Sequence, residues 1–305
     1  MYDIIGDIHG HADKLIQLLE KLGYKYKQRI WRHSNRKVIF LGDFVDRGPQ
    51  QIETVDIAKG MVEHGHALAV MGNHEYNAVA WTTEDPDNNG EYLRPHNAKN
   101  QQQHQTFLDQ VVSGSERHHA IVDWFKTLPV FLDLPACRII HACWHNHYLN
   151  MIKPYLDTEN RLLSASWVPT SREGSEPYDA IETLLKGMEV NLPTGHSFHD
   201  KDGHKRTRVR IKWWQTDATS YQEMALLPPQ NLEKIPDIPI ENEIPKYDQL
   251  KPVFIGHYWL KDKPAPLADK VACLDYSVVD KKEGKLCAYR FDGETNLTPD
   301  GFVYV

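Results

Sequence analysis

The 305 residues suffice for one large domain or two ordinary ones, and 41% hydrophobic residues supply ample material for a core. A formal charge of −7 argues against a protein that coats nucleic acid or an anionic membrane by bulk attraction, so an anionic substrate needs local help from a metal or clustered arginines. Four cysteines in no C-x-x-C pair are too few for a disulfide framework; with no basic-then-apolar leader and no run approaching about 18 apolar residues, the expectation is a soluble, cytoplasmic protein without a membrane partner.

Tyr2–Ile5 reads as a buried strand running into Gly6 and Asp7, and Leu15, Leu18, Leu19 and Leu22 then recur at helical spacing up to Gly23. The pattern repeats. The apolar run 38–41 leads into GDFVDRG, after which Ile52, Val55, Ala58 and Val62 mark a helix stopped near Gly65. A third run, 67–71, ends at Gly72. Such strand-to-loop passages predict a parallel βαβ sheet whose C-terminal edge gathers polar loops into one crevice. Residues 85–103, rich in Asn, Gln and Pro, read as loop, and 107–128 as helix. Arg138–Ile140 is another strand, ending at His141, and Val253–Ile255 runs into Gly256 and His257. In the long interval between them, 205–214 alternates as one strand, with Arg206, Arg208, Arg210 and Lys212 on one face and Val209, Ile211 and Trp213 on the other. The proline-rich stretch 228–252 reads as an extended surface connection, and 271–277, 286–291 and 302–305 as closing strands with a turn at 281–284. No internal repeat and no clear interdomain linker is present.

The strand ends supply one class of side chain: Asp7 and His9, Asp43, Asn73 and His74, His141, and His257. Oxygen and imidazole donors without thiolate suit manganese, iron, nickel or zinc. An aspartate between two such ions can bridge them, and ions about 3.5–4 Å apart can clamp a phosphoryl group and deprotonate a water for in-line attack.

In this order, GDIHG (6–10), GDFVDRG (42–48), GNHE (72–75), IIHA (139–142) and IGH (255–257) resemble the calcineurin-like metallophosphoesterase superfamily. The second and third motifs resemble in particular the branch holding PPP-type serine/threonine phosphatases, symmetrical diadenosine tetraphosphatases and PrpE-like phosphatases, as does the closing stretch 274–291. The resemblance implies an α/β fold, a four-layer α/β/β/α sandwich with two mixed β-sheets, forming a single domain over 1–305 with a cap-like insertion at 146–252. It implies two divalent metal ions, manganese first and iron, nickel or zinc otherwise. Asp7 and His9 would bind one, Asn73, His141 and His257 the other, and Asp43 both. His74 would protonate the leaving oxygen, oriented by Asp46, Arg47 would bind a phosphate oxygen, and no phosphoenzyme would form. Imidazole can give a proton near neutral pH, and a guanidinium matches phosphate in bidentate fashion.

The expected activity is a metal-dependent phosphatase on phosphomonoesters, of a phosphoprotein or a small phosphorylated compound; the alternative is a dinucleoside polyphosphate hydrolase acting on diadenosine tetraphosphate. A nucleic-acid phosphodiesterase rests only on the basic strip, and a non-catalytic scaffold has no need of His74 with Asp46 and Arg47. Two departures stand out. Cys143 and Trp144 follow His141 where relatives commonly carry a glycine, and GHYW puts Trp259 where other branches have a ligand histidine; that absence fits the phosphatase and tetraphosphatase branch.

Other residues read more plainly. Glu75 holds a loop through an ion pair, His11 starts a helix, His145 and His147 are solvated or beside substrate, and Trp213 and Trp214 pack a core. His196, His199 and His204 flank a D-K-D-G hairpin turn rather than a third metal. Arg206, Arg208 and Arg210 form either a solvated face or a recognition strip for a polyphosphate or phosphopeptide.

Overall fold

The computed structural model describes residues 1–199, 203–240 and 246–305. Short strands that are apolar on both faces become central strands, because neither face can be left to water. Tyr2–Ile5 pairs in parallel with Lys37–Phe40, which pairs in parallel with Ala67–Ala69. On its other side Tyr2–Ile5 meets Lys285–Phe291 antiparallel, and that strand also pairs with Asp275–Tyr276 and Phe302–Tyr304 to complete a six-stranded mixed sheet. A second, four-stranded mixed sheet runs Val271–Cys273, Val253–Ile255, Arg138–Ile140, Phe131–Asp133.

Alternation along each strand decides what its faces touch. Ile4, Ile39, Ile139, Phe254 and Ala272 lie in one apolar cluster between the two sheets. Their neighbours Ile5, Phe40, Ile140, Ile255 and Cys273 lie in the main cluster with the helices. The helix Ala12–Lys21 contributes Leu15, Leu18 and Leu19 to that cluster, Gln51–Glu63 contributes Val55, Ala58 and Met61, and Glu176–Lys186 contributes Ile181, Leu184 and Leu185. The layers are therefore α/β/β/α, as expected. A third, smaller cluster of Leu192, Phe198, Val209, Ile211, Tyr221, Met224, Ala225 and Ile235 forms within the long interval. Trp213 and Trp214 belong to the main core, not to this one. No helix among the described residues is long and apolar enough to cross a membrane.

Four local expectations are corrected. The stretch 107–128 is two helices, Ala98–Val111 and Glu116–Lys126, broken where Val112 and Gly114 take φ of 59° and 79° and Ser115 caps the second. The first starts inside the expected loop 85–103, where the Asn97 side chain accepts a hydrogen bond from the Asn100 N–H at 2.9 Å; its polar composition hides a narrow buried face of His104, Phe107, Leu108 and Val111. The strand expected at 205–214 is two short ones, Lys205–Arg206 paired with Phe198–His199 and Arg208–Arg210 paired with Glu189–Asn191. The alternation survives, with Val209 and Ile211 buried, but the strip is not one continuous strand. Residues 200–202 of the D-K-D-G turn, and 241–245 of the stretch 228–252, lie outside the described residues. Finally, 271–277 is two strands in different sheets: after Cys273 the chain passes at Leu274 from the four-stranded to the six-stranded sheet.

A buried ion network ties the central strand of the larger sheet to its two neighbours. Asp3, fully buried, accepts from the Tyr24 hydroxyl, the Arg36 Nε and the Arg290 Nε, each at 3.0 Å. Removing the carboxylate takes from two guanidinium groups their shared buried partner, Arg36 keeping Asp292 and Arg290 the Leu22 carbonyl, and losing one partner of a buried pair is costly. Asp3→Ala is expected to lower stability by about 3–5 kcal/mol, read as a shift of the urea unfolding midpoint; a midpoint within error of wild type refutes the role.

Candidate active site

Every loop that leaves the C-terminal end of a parallel strand is pressed against another. A Cβ on Gly42 would lie 2.3 Å from the Gly72 nitrogen, and one on Gly256 would lie 2.0 Å from Asp7 Oδ1. Gly42 also has φ of +91°, so glycine is required there twice over. Non-glycine residues bear unusual backbone angles too: His9, Asp43, Asp46, Arg47 and His257 all have positive φ, between 47° and 75°. Strained backbone at so many polar side chains in one crevice marks a functional site.

Glu75 makes these angles tolerable. Its buried carboxylate accepts backbone N–H groups from Asp43 at 2.7 Å, Phe44 at 2.8 Å and Gly72 at 3.0 Å, so it holds the loop through the main chain, not through an ion pair. Burial, with the nearby Asp43 carboxylate, pushes its pKa up to about 7.

The side chains converge on Asp43. Its Oδ2 lies 3.6 Å from His9 Nε2, 3.4 Å from His141 Nε2 and 3.9 Å from His74 Nε2, and Oδ1 accepts the His74 backbone N–H at 3.0 Å. Asn73 Oδ1 lies 3.1 Å from His141 Nε2 and 2.8 Å from His257 Nδ1. Backbone carbonyls set two of the tautomers: His9 Nδ1–H donates to Val45 O at 2.9 Å and His141 Nδ1–H to Leu41 O at 2.7 Å, so both Nε2 atoms face Asp43. Asp7 presents Oδ2 to the His257 N–H at 3.1 Å.

Two groups among the described residues could each hold a metal ion: His9, Asp43 and His74, and Asp43, His141 and His257. They share Asp43, and neither includes His196, His199 or His204. Asp7 lies outside both groups as drawn by distance. Its Oδ1 and the His9 Nε2 are nevertheless buried with no hydrogen-bond partner. A carboxylate oxygen and an imidazole nitrogen buried without hydrogen-bond partners in the same site are costly unless a cation takes them, so the donor set fits a pair of divalent ions.

The electrostatics point the same way. Burial, with Asp275 next, raises the Asp7 carboxyl well above its ordinary value, and burial with the neighbouring His74 pushes His9 down to about 3. Burial opposes a charge on His141, yet Asp43 and Asp7 raise it to about 10. The Asp7 and Asp43 carboxylates are offset by His141, His74 and Arg47, and a pair of divalent ions would take over that part from the histidines.

Beside this cluster stands a second constellation. His74 Nδ1 lies 2.5 Å from Asp46 Oδ2, and Arg47 reaches His74 Nε2 at 3.4 Å while its guanidinium lies 4.0 Å over the Trp259 ring. Burial works against charging His74, but Asp43 and Asp46 together raise its pKa above the ordinary value. The structure thus brings Asp7, His9, Asp43, Asp46, Arg47, Asn73, His74, His141 and His257 into one site. Arg210 joins them by donating to His257 Nε2 at 3.1 Å, whereas Arg206 and Arg208 are exposed along the neighbouring cleft. His11 caps the first helix, and His145 is buried against Tyr148, not solvated.

Three neighbours carried no functional signal in the sequence. His104 contacts Asp46 at 2.7 Å from a helix read partly as loop, Trp259 stacks on Arg47, and buried Asp275 accepts the Trp259 N–H at 2.8 Å. Only a motif-independent reading of the helix 98–111, with His104 in register with Phe107, Leu108 and Val111, could have placed the first.

A family model described as calcineurin-like phosphoesterase matches residues 2–271. Among curated proteins the chain is similar to the bis(5'-nucleosyl)-tetraphosphatase PrpE [asymmetrical] of Halalkalibacterium halodurans, 43% identical over 74 residues, 24% of this chain and 30% of that protein. The Bacillus subtilis protein of the same description is 45% identical over 74 residues, with the same shares. The matched segment thus spans about 30% of the length of these relatives. Among solved structures, a cold-active protein tyrosine phosphatase superposes with a TM-score of 0.51 at 16% identity, over 94% of this chain and 73% of that one, a likeness of fold alone.

By distance His74 belongs to one of the candidate ion groups, yet its Nδ1 is engaged by Asp46, and substitution distinguishes an ion-holding from a proton-supplying part. Asp43→Asn is expected to abolish both metal uptake and turnover, and His74→Asn to retain stoichiometric metal while kcat falls about 100-fold or more, checked by metal analysis alongside kinetics. Equal loss of metal in both variants refutes the division.

Proposed function

The chain belongs to the calcineurin-like phosphoesterase family and is a metal-dependent phosphoester hydrolase, and on that footing we propose that it cleaves a phosphoanhydride in dinucleoside polyphosphates such as diadenosine tetraphosphate. This places the sequence-derived alternative ahead of the phosphomonoester reading. The similarity to tetraphosphatases supports it, and the shape of the site carries it.

Two clefts meet at Arg47. One, of about 950 Å³, holds His74, Tyr76, Tyr92, Arg94 and Tyr178; the other, of about 1180 Å³, holds His257 with Lys205, Arg206, Arg208 and Arg210. The group that His74 protonates must sit on the His74 side. Opposite the leaving oxygen lies the attacking water, so what a substrate can place in the cationic cleft must extend from an equatorial oxygen. A monoester's phosphoryl group has only bare oxygens there, whereas one within a polyphosphate carries chain through an equatorial oxygen as well as through the leaving oxygen and reaches into both clefts. Arg208 and Arg210 rest on Glu189 only at 4.0 and 3.6 Å, contacts that phosphate oxygens can replace.

When bound at Asp7, His9, Asp43, Asn73, His141 and His257, two divalent ions, with manganese suited to these donors, would supply Lewis acidity to the phosphoryl oxygens and acidify a water. The chain's own residues do the rest: Arg47, held flat by Trp259, binds an equatorial oxygen, and His74 delivers the proton to the departing oxygen. The cap expected over 146–252 is assigned to its later part, since the helices Asn146–Ile152 and Glu176–Lys186 join the main core while 192–235 has a core of its own and bears the arginines.

Turnover of diadenosine tetraphosphate, a phosphodiester and a phosphomonoester by manganese-loaded enzyme, with Asp43→Asn as blank, tests the reading. The tetraphosphate is expected to give a kcat/KM at least about tenfold above the others, and Arg206→Gln with Arg208→Gln to raise its KM without changing monoester kinetics. Cleavage of the monoester alone overturns the proposal and restores the phosphatase reading.

A further inference from the structure

Asp46 has two carboxylate oxygens, and a different histidine takes each. Oδ2 faces His74 Nδ1 at 2.5 Å and Oδ1 faces His104 Nδ1 at 2.7 Å. All three side chains are buried. An ionised carboxylate only accepts, so each histidine presents Nδ1–H to Asp46, and His74 must carry any further proton on Nε2, the atom that faces Arg47 and Asp43.

We propose that His104 is a positioning residue for proton donation: it pins Asp46 so that Asp46 fixes the tautomer and aim of His74. The inference rests on His74 being the proton donor. Without His104, Asp46 Oδ1 would be a buried acceptor free to turn about its side-chain bonds, and a carboxylate that turns no longer aims Oδ2 at His74. The fold invests in this contact from both ends. The Asp46 N–H donates to Gln51 Oε1 at 2.6 Å, and the helix bearing His104 is fastened to the same loop through Gln110, which accepts the Gln51 N–H at 2.8 Å and donates to Pro49 O at 2.8 Å. Trp81 and Phe107 hold the His104 ring at centroid distances of 5.9 and 4.9 Å. Among the described residues, Asp46 is the polar contact that His104 makes in the site, and His104 belongs to neither metal-binding group.

In the step it serves, the phosphorus–oxygen bond to the leaving group breaks with its electron pair going to that oxygen, which takes the proton from His74 Nε2. Water supplies the new phosphorus–oxygen bond, and the proton it releases restores His74. A donated proton matters in proportion to how poor the leaving group is, and that distinguishes positioning from mere packing.

The test compares an activated aryl phosphate, p-nitrophenyl phosphate, with the poor-leaving-group ester phenyl phosphate on manganese-loaded enzyme. His104→Leu is expected to lower kcat for the poor leaving group about 10- to 100-fold with KM unchanged, and to leave the activated ester within about threefold. His104→Asn, whose amide nitrogen can stand where Nδ1 stood, is expected to recover most of the loss. His74→Asn should show the same selectivity; if it shows none, the proton-donor reading fails and takes this inference with it. If His74→Asn is selective while His104→Leu affects both esters equally or neither, His104 is only a packing residue. A reading independent of turnover is the downfield proton resonance of His74 Nδ1–H, expected in the wild type and in His104→Asn and lost to exchange in His104→Leu; its persistence there overturns the proposal.

Discussion

Asp43 is the residue on which the site is built. Its carbonyl accepts the N–H groups of Ile8 and His9 at 3.1 and 2.8 Å, its own N–H is held by Glu75, and its two carboxylate oxygens face the third motif and the histidines of the first and fourth. One residue thus fixes the relative place of loops from four different strands. It can do so only in the left-handed region, at φ of 51°, a conformation that an aspartate tolerates better than a branched residue would. Gly42, before it in the chain, and Gly72, packed against it from another loop, have no side chains to block so close an approach of main chain and carboxylate. Glu75, three residues from Gly72 and buried beneath the turn, closes the arrangement from the inside.

From that constraint follows a division of labour. Facing the sheets, backbone carbonyls orient the imidazoles of His9 and His141; facing the helices, Asp46 and His104 orient His74. The first set is fastened by main chain and can hardly adjust. The second depends on side chains from a separate helix and, in the proposed reading, gives the fold a place where proton delivery can be altered without disturbing ion holding. Cations on the later part of the chain then line one approach to the same centre, while aromatic and amide side chains line the other.

The sequence made the strand-end motifs legible because each is local: a buried strand, a glycine and a polar ligand within a few residues leave little freedom in what they build. The residues alone pointed to one parallel βαβ sheet, while the two mixed sheets and the four layers were implied by the resemblance that the motifs carry. The failures were of another kind. Residues 98–111 look like loop because Asn and Gln dominate, and the helix is recognised only by a face that is buried by tertiary packing, so His104 had no motif to announce it. The arginine strip reads as one strand because the side-chain alternation continues across a break in pairing that backbone partners alone decide. Likewise the apolar run 271–274 gives no sign that the chain changes sheets at Leu274.

The central strand of the larger sheet has a partner almost at the other end of the chain: Tyr2 stands opposite Phe291, and Ile5 opposite Ala288. Asp7 and His9 hang from the end of that strand. During synthesis the first motif therefore emerges earliest but gains its antiparallel neighbour only after residue 291 has left the ribosome, and the fifth motif arrives little sooner. Contacts of such long sequence separation form slowly and late. A chain ending before residue 285 would keep most of the residues of the site yet leave the strand that carries Asp7 and His9 as an open sheet edge.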